Sequence, residues 1–217
     1  MNILITGCSR GIGKSLLNSF LKIDTVKVFP HYRVGGVKPG ILICDLNELG
    51  AVDKVSKFIQ EYDIDTFINN ASIYQKKPSS KITNEDISSM VTSNVNSQLL
   101  LLTKVASLFR KKPSRIVNIN SIASKNFSSE EALYCVTKNA VGAYLNCLAR
   151  DGENSSISIT NIYLGGTKSD MTKERSDYNT LIDPDELGDF IAALCSQPLK
   201  SFAVTEIEIR KKWKTLN

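Results

Sequence analysis

One α/β domain spanning residues 1–217, a parallel sheet of about seven strands with helices on both faces, is predicted from three observations. Short apolar runs alternate with stretches of helical periodicity, the pattern of strands joined by crossover helices. The first apolar run passes directly into a glycine-rich turn, and the turn into a helix. The length, with 42% hydrophobic residues, supplies one sizeable core and requires no second domain.

The elements follow in order. Met1 to Ile5 is apolar and predicts a strand over Asn2–Thr6. Ile12, Leu16, Leu17, Phe20 and Leu21 recur at helical spacing and predict a helix over Gly13–Leu21. Further strands are predicted at Val26–Tyr32, Ile41–Cys44, Thr66–Asn69, Arg115–Asn120, Ser156–Tyr163 and Ala203–Ile209. The intervening helices fall at Leu49–Glu61, Asn84–Lys111, Glu131–Asp151 and Pro184–Ser196, the last with Asp183 as its cap and Pro184 in its first turn. No repeat, linker or low-complexity stretch interrupts them.

Between the first strand and helix lies Thr6-Gly7-Cys8-Ser9-Arg10-Gly11-Ile12-Gly13. Glycine permits a tight turn and close backbone approach, and a helix N-terminus offers free N–H groups and a positive dipole end. Together they suit a pyrophosphate, so the segment reads as the phosphate-binding start of a dinucleotide fold. A second constellation carries chemistry. Tyr134 and Lys138 are four residues apart, hence on one helix face, and Ser121 stands thirteen residues before Tyr134 at the end of an apolar run. An ammonium under the phenol favours its ionised form and makes tyrosine a usable acid near neutrality. A serine at the mouth of the neighbouring strand can hold a substrate oxygen. The three suit proton transfer at a carbonyl or alcohol centre, with the dinucleotide as hydride source.

With these motifs in this order the chain resembles the short-chain dehydrogenase/reductase family, in its shorter type with Thr-Gly-x-x-x-Gly-x-Gly and Tyr-x-x-x-Lys. The resemblance extends to Asp45, to Asn69-Asn70-Ala71-Ser72, to Asn94, and to Leu164-Gly165-Gly166-Thr167-Lys168-Ser169. It implies a Rossmann-type, doubly wound sheet and one NADP-binding domain. It further implies catalytic roles for Asn94, Ser121, Tyr134 and Lys138. Asn94 would hold a water linking the lysine to solvent, and Lys138 would lower the tyrosine pKa and bond the nicotinamide ribose. Cofactor contacts are implied for Gly7, Ser9, Arg10, Gly11, Ile12, Gly13, Arg33, Asp45, Leu46, Asn70, Ala71, Tyr134, Lys138, Gly165, Thr167 and Ser169. Three positions depart from the family pattern: Ser72 replaces a glycine, Leu164 a proline and Ser169 a threonine.

The end of the second strand reads His31-Tyr32-Arg33. An acidic residue there would serve the ribose of NAD, whereas arginine pairs with the 2′-phosphate of NADP. Arg33, with Arg10 inside the glycine turn, therefore argues for NADPH. Asp45 would hold the adenine amino group or, more simply, cap a turn before Leu46.

Composition bounds the remainder. Five cysteines without Cys-x-x-Cys spacing indicate neither a zinc site nor a disulfide framework and are read as reduced. The lone His31 makes no metal site. No apolar run approaches the roughly 18 residues of a membrane span, and the first strand starts at residue 2, so a cytoplasmic location is expected. A net charge of +5 and the tail Arg210-Lys211-Lys212-Trp213-Lys214 raise nucleic-acid binding as a rival, but a modest charge at a chain end is a weak footprint, and no nucleic-acid or membrane partner is expected. A non-catalytic NADP-binding regulator is the other rival, whose usual mark, loss of the tyrosine or lysine, is missing here. The substrate is expected to be a small polar carbonyl or alcohol compound; the resemblance implies that it is read by the loop after Ser169 (Asp170 to Ile182), by side chains around Ser72–Tyr74 and by the segment following Ser121, with Tyr74, Phe127 and Tyr178 as candidate pocket residues. Apolar residues beyond one stripe, Leu99 to Leu102 and Ala140 to Leu148, predict a homodimer or homotetramer.

Overall fold

The computed structural model describes residues 1–197 and 201–212. Trp213 and Lys214 of the basic tail lie outside the described residues. The strands are β1 (Asn2–Ile5), β2 (Lys27–Tyr32), β3 (Leu42–Ile43), β4 (Thr66–Asn69), β5 (Ser114–Ser121), β6 (Ile157–Leu164) and β7 (Glu206–Ile209). They form one parallel sheet in the order β3-β2-β1-β4-β5-β6-β7. The helices are α1 (Gly11–Leu21), α2 (Ala51–Glu61), α3 (Asn84–Val91), α4 (Ser97–Phe109), α5 (Ala132–Arg150) and α6 (Pro184–Ser196).

Alternation along each strand divides the core in two. Leu4, Phe67, Ile116 and Ile159 face α2, α4 and α5, whereas Ile3, Ile5, Ile68, Val117 and Ile162 face α1 and α6. Both faces are thus covered, which is why the strands read as apolar runs. The sheet order turns back on itself between β1 and β4, and the loops at the strands' carboxyl ends open a crevice there.

The face covered by α5 also carries a polar row. Asn69, Asn118 and Asn161 are register partners on β4, β5 and β6. The Asn69 amide donates to Asn118 at 3.0 Å and Asn118 donates to Asn161 at 2.8 Å. Asn161 donates to Asn146 of α5 at 3.2 Å, and Asn146 to Glu206 of β7, also at 3.2 Å. All three strand asparagines are buried.

The helix expected over Asn84–Lys111 is broken. Thr92–Asn96 forms a π turn between α3 and α4, in which the Ser97 N–H reaches back five residues to the Thr92 carbonyl. The Ser97 hydroxyl bonds that same carbonyl at 2.9 Å. Periodicity does not mark such a turn, because the apolar stripe resumes on its far side.

Candidate active site

Helix starts in this chain are capped in different ways. The α3 start carries a capping box between Thr83 and Asp86, and Asp183 caps α6 by accepting from the Asp185 and Glu186 N–H groups. The α1 start has no side-chain cap and no acidic residue in its first turn. Its free N–H groups and positive dipole end point at the crevice, ready for an anion.

The turn before α1 is close-fitting. Gly7 and Gly11 have φ of +74° and +54°, and a Cβ on Gly13 would lie 2.1 Å from the Gly7 carbonyl oxygen. Only glycine lets α1 start so near the turn. Thr6 ties this turn to the loop after β4, its hydroxyl accepting from the Asn70 and Ala71 N–H groups at 2.9 and 3.0 Å. The Asn70 side chain donates to the Thr6 carbonyl at 2.8 Å.

A cavity of about 1100 Å³ runs from this turn across the sheet's carboxyl edge to α5. Every residue for which a cofactor contact is expected, from Gly7 to Ser169, lines it, as do Ser121, Tyr134 and Lys138. At the turn end, Arg33 is exposed, and Arg10 forms an exposed ion pair with Asp170 at 3.6 Å across the mouth. Asp45 lines the cavity and also caps its own turn, accepting from the Asn47 N–H at 2.9 Å.

Further along the cavity, Ser121 closes β5, with its hydroxyl oxygen accepting from the Ala123 N–H at 3.1 Å. Tyr134 stands on α5 with Tyr74 packed edge-on against it, ring centres 5.0 Å apart. Lys138 is 8% exposed and donates to the Ile119 carbonyl at 3.1 Å. Burial pushes its amine down to about 8, so the ammonium form still prevails at neutral pH. Its Nζ lies 5.8 Å from the centre of the Tyr134 ring.

One expectation reverses. Tyr134 is held above the ordinary phenol range, not below it. Burial is the largest cause; Ser121's hydrogen bond pulls down, while the Glu131 carboxylate pushes up. Sequence spacing puts the lysine on the same helix face but does not report the low-dielectric surroundings that set the direction of the shift.

Asn94 is buried behind the wall and does not line the cavity. Its side chain grips the Ile73 backbone from both sides, accepting from the N–H and donating to the carbonyl, each at 2.8 Å. It also donates to Thr137 of α5 at 3.3 Å. Asn94 therefore ties the loop after β4 to the helix that carries Tyr134 and Lys138.

Among the aromatic candidates, Tyr74 lines the cavity, whereas Tyr178 does not and Phe127 is turned outward. Several wall residues escaped sequence reasoning. Glu131 accepts from the Tyr74 hydroxyl at 2.5 Å, and Asn126, Arg210 and Lys211 close the far rim. The basic tail thus begins as part of the cavity wall, because β7 ends beside β6. Asp177 receives Arg175 through two bonds of 2.8 and 3.0 Å and Lys211 through one of 2.8 Å, fastening the segment after Ser169 to the chain's end.

A sequence profile described as short chain dehydrogenase matches residues 1–180. An uncharacterised oxidoreductase of Staphylococcus haemolyticus is 33% identical over 227 aligned positions, covering 95% of each chain. An NADP-dependent 3-hydroxy acid dehydrogenase of Schizosaccharomyces pombe is 26% identical over 80% of this chain and 74% of its own. Among solved structures, a 3-ketoacyl-(acyl-carrier-protein) reductase from Brucella melitensis complexed with NADH superposes with a TM-score of 0.82 at 21% identity, covering 96% of both chains. An alcohol dehydrogenase from Thermococcus sibiricus complexed with 5-hydroxy-NADP also gives 0.82, at 19% identity over 100% of this chain and 98% of its own. The two solved structures carry the fold, and the profile with the staphylococcal relative carries the membership: the chain belongs to the short-chain dehydrogenase/reductase family of oxidoreductases.

Proposed function

We propose that the protein is an NADPH-dependent reductase of a small polar carbonyl compound, working in reverse as an alcohol dehydrogenase. The observation that carries this reading is the continuity of one cavity from the uncapped start of α1 to Ser121, Tyr134 and Lys138. A dinucleotide fits the turn end: glycines let the turn pack closely, and the N–H groups of a helix start with no acidic residue in its first turn face the cavity. When bound, it supplies the hydride that reduces the carbonyl carbon.

The chain's own residues handle the oxygen and its proton. Ser121 holds the carbonyl oxygen and Tyr134 donates the proton to it. A phenol whose burial keeps it protonated is suited to donate, which fits the reductive direction. Lys138, as a buried ammonium beside the ring, stabilises the phenolate left behind and steadies the cofactor's ribose. Asn94 fixes the cofactor loop against α5, so that donor and hydride source keep one spacing. Arg10 and Arg33 favour NADPH over NADH. The relative from Schizosaccharomyces pombe, named for NADP and hydroxy acids, supports a small polar substrate.

No helix among the described residues is long and apolar enough to cross a membrane; action in the cytoplasm is part of the proposal. Leu100 of α4 and Val136 of α5 are 64% and 62% exposed, and a homodimer or homotetramer would cover them. Light scattering at micromolar concentration checks the assembly, a monomer counting against it.

The decisive test is an NADPH-oxidation screen against small keto acids, keto sugars and aldehydes, with the native protein and Tyr134→Phe compared. Turnover by the native protein that the variant loses, with NADPH affinity falling far less, is expected. Tight NADPH binding without turnover of any carbonyl compound would favour a regulator of the same fold.

A further inference from the structure

The one histidine of the described chain is built into the cofactor cradle. His31 sits near the end of β2, 2% exposed, with both ring nitrogens committed. The Gly7 N–H donates to Nδ1 at 3.1 Å, and Nε2 lies 2.9 Å from the Cys44 carbonyl oxygen. A backbone N–H cannot accept and a carbonyl cannot donate. The ring is therefore neutral with its proton on Nε2. Its main chain adds a third link, the His31 carbonyl accepting from the Cys8 N–H at 3.0 Å. One residue thus fastens two successive N–H groups of the glycine turn to the ends of β2 and β3.

We propose that His31 is a positioning residue for dinucleotide binding, its Nδ1 fixing Gly7 so that the turn keeps the shape the phosphates require. The lever is short. Gly7 has positive φ, its carbonyl accepts from the Asn70 side chain at 3.3 Å, and that same carbonyl is the atom against which Gly13 fits. His31 thus holds the peptide on each side of the Gly7 Cα, through Nδ1 and through its carbonyl, and the second of these carries the oxygen that α1 packs against. With the Gly7 and Cys8 N–H groups both held by His31, neither is left for the phosphates.

The ring's surroundings keep it neutral. Burial holds it below the ordinary histidine range, against the Cys44 carbonyl and the Asp45 carboxylate, which pull upward. The other titratable groups beside it are uncharged near neutrality: the Cys8 thiol is pushed up to about 12, and burial raises Cys44 and Tyr32. A proton on Nδ1 would set two donors against each other and release Gly7.

The inference rests on the dinucleotide reading above, so the test titrates native protein, His31→Asn and His31→Gln with NADPH and with NADH. Asparagine keeps an acceptor near Nδ1 and loses the donor to Cys44; glutamine keeps the donor near Nε2 and loses the acceptor. Each variant loses one buried hydrogen bond, and similar falls in melting temperature are expected. Cofactor affinity should separate them. His31→Gln should bind about five- to ten-fold more weakly, the equivalent of one neutral hydrogen bond, and His31→Asn should stay within about three-fold of native. Equal losses in both, or none in either, overturn the role of His31 while leaving the dinucleotide reading intact. Native protein that binds neither dinucleotide overturns that reading and this one together. Should the variants fail to fold, the nitrogen-15 spectrum of the native imidazole decides: the Nε2–H tautomer at neutral pH is expected, and an Nδ1–H tautomer or a doubly protonated ring refutes the assignment.

Discussion

The two ends of the cavity are held by different kinds of bond. At the turn end, Thr6, His31 and Asn70 are fastened to main-chain atoms by hydrogen bonds that are buried or half-buried, and Gly13 leaves no space for an added atom. At the far end, the segment after Ser169 is fastened by exposed ion pairs among Arg175, Asp177 and Lys211, and by Arg10 reaching Asp170. Buried bonds to backbone resist opening, while exposed ion pairs contribute little and weaken with salt. On the proposed reading the dinucleotide meets the end held by buried bonds to backbone, and the substrate meets the end held by exposed ion pairs. Tyr134, Lys138 and Ser121 stand at the boundary between them.

The largest expected effect separates the ends by chemistry. Tyr134→Phe should lower kcat by about 10²- to 10⁴-fold, the range of a lost general acid, while NADPH affinity in a fluorescence titration falls far less than turnover. Binding weakened as much as turnover in that variant would mean the boundary is drawn in the wrong place.

Next comes the rigid end. Gly13→Ala forces a methyl group onto the Gly7 carbonyl. It should cost roughly 1–3 kcal/mol of stability, the range of overpacking, and weaken NADPH by more than about ten-fold. Calorimetry and titration read the two separately. A variant of native affinity would show the turn to be softer than its packing indicates.

The third prediction uses acid. The unfolded chain protonates His31 near its ordinary value of about 6.5 and the folded protein only at lower pH, so below that value the unfolded state holds more protons. Stability contributed by the neutral ring is therefore present above about pH 6.5 and lost as pH falls through the interval beneath it. Thermal melts from pH 7.5 to 5 should show this loss in native protein and a shallower one in His31→Asn. Parallel curves would remove His31 from the account.

The smallest effect belongs to the adjustable end. Asp177→Asn removes the carboxylate shared by Arg175 and Lys211. Melting temperature should shift by only a few degrees, cofactor affinity should not move, and KM for the carbonyl substrate should change several-fold, with less dependence on salt than in native protein. Equal changes in cofactor affinity and KM would show the ends to be coupled.

How far each end could be read before folding follows the same division. The glycine turn, the Tyr134/Lys138 spacing and Ser121 depend on local geometry, and a linear sequence carries local geometry directly. Strand bounds were legible to within a few residues wherever apolar runs were long; Ala203–Ile209 overshot because only Glu206–Ile209 pairs with β6. The π turn at Thr92–Asn96 left no trace in the periodicity. Arg210 and Lys211 reached the cavity by topology, not by sequence neighbourhood. The direction of the Tyr134 shift was illegible for another reason: it depends on how much surrounding mass excludes water, which no spacing encodes.

The row of amides from Asn69 to Asn161 bears on how the sheet comes to be assembled. Its central strands are brought together from distant parts of the chain, a slow step in which misaligned pairings compete. Sliding β5 by one residue would set Val117 or Ile119 opposite Asn69 and strand several amide groups in the interior, each at about 1–3 kcal/mol. Apolar strands alone would accept such an offset with little complaint. The row therefore acts as a proofreader, penalising a one-residue misalignment of the central strands.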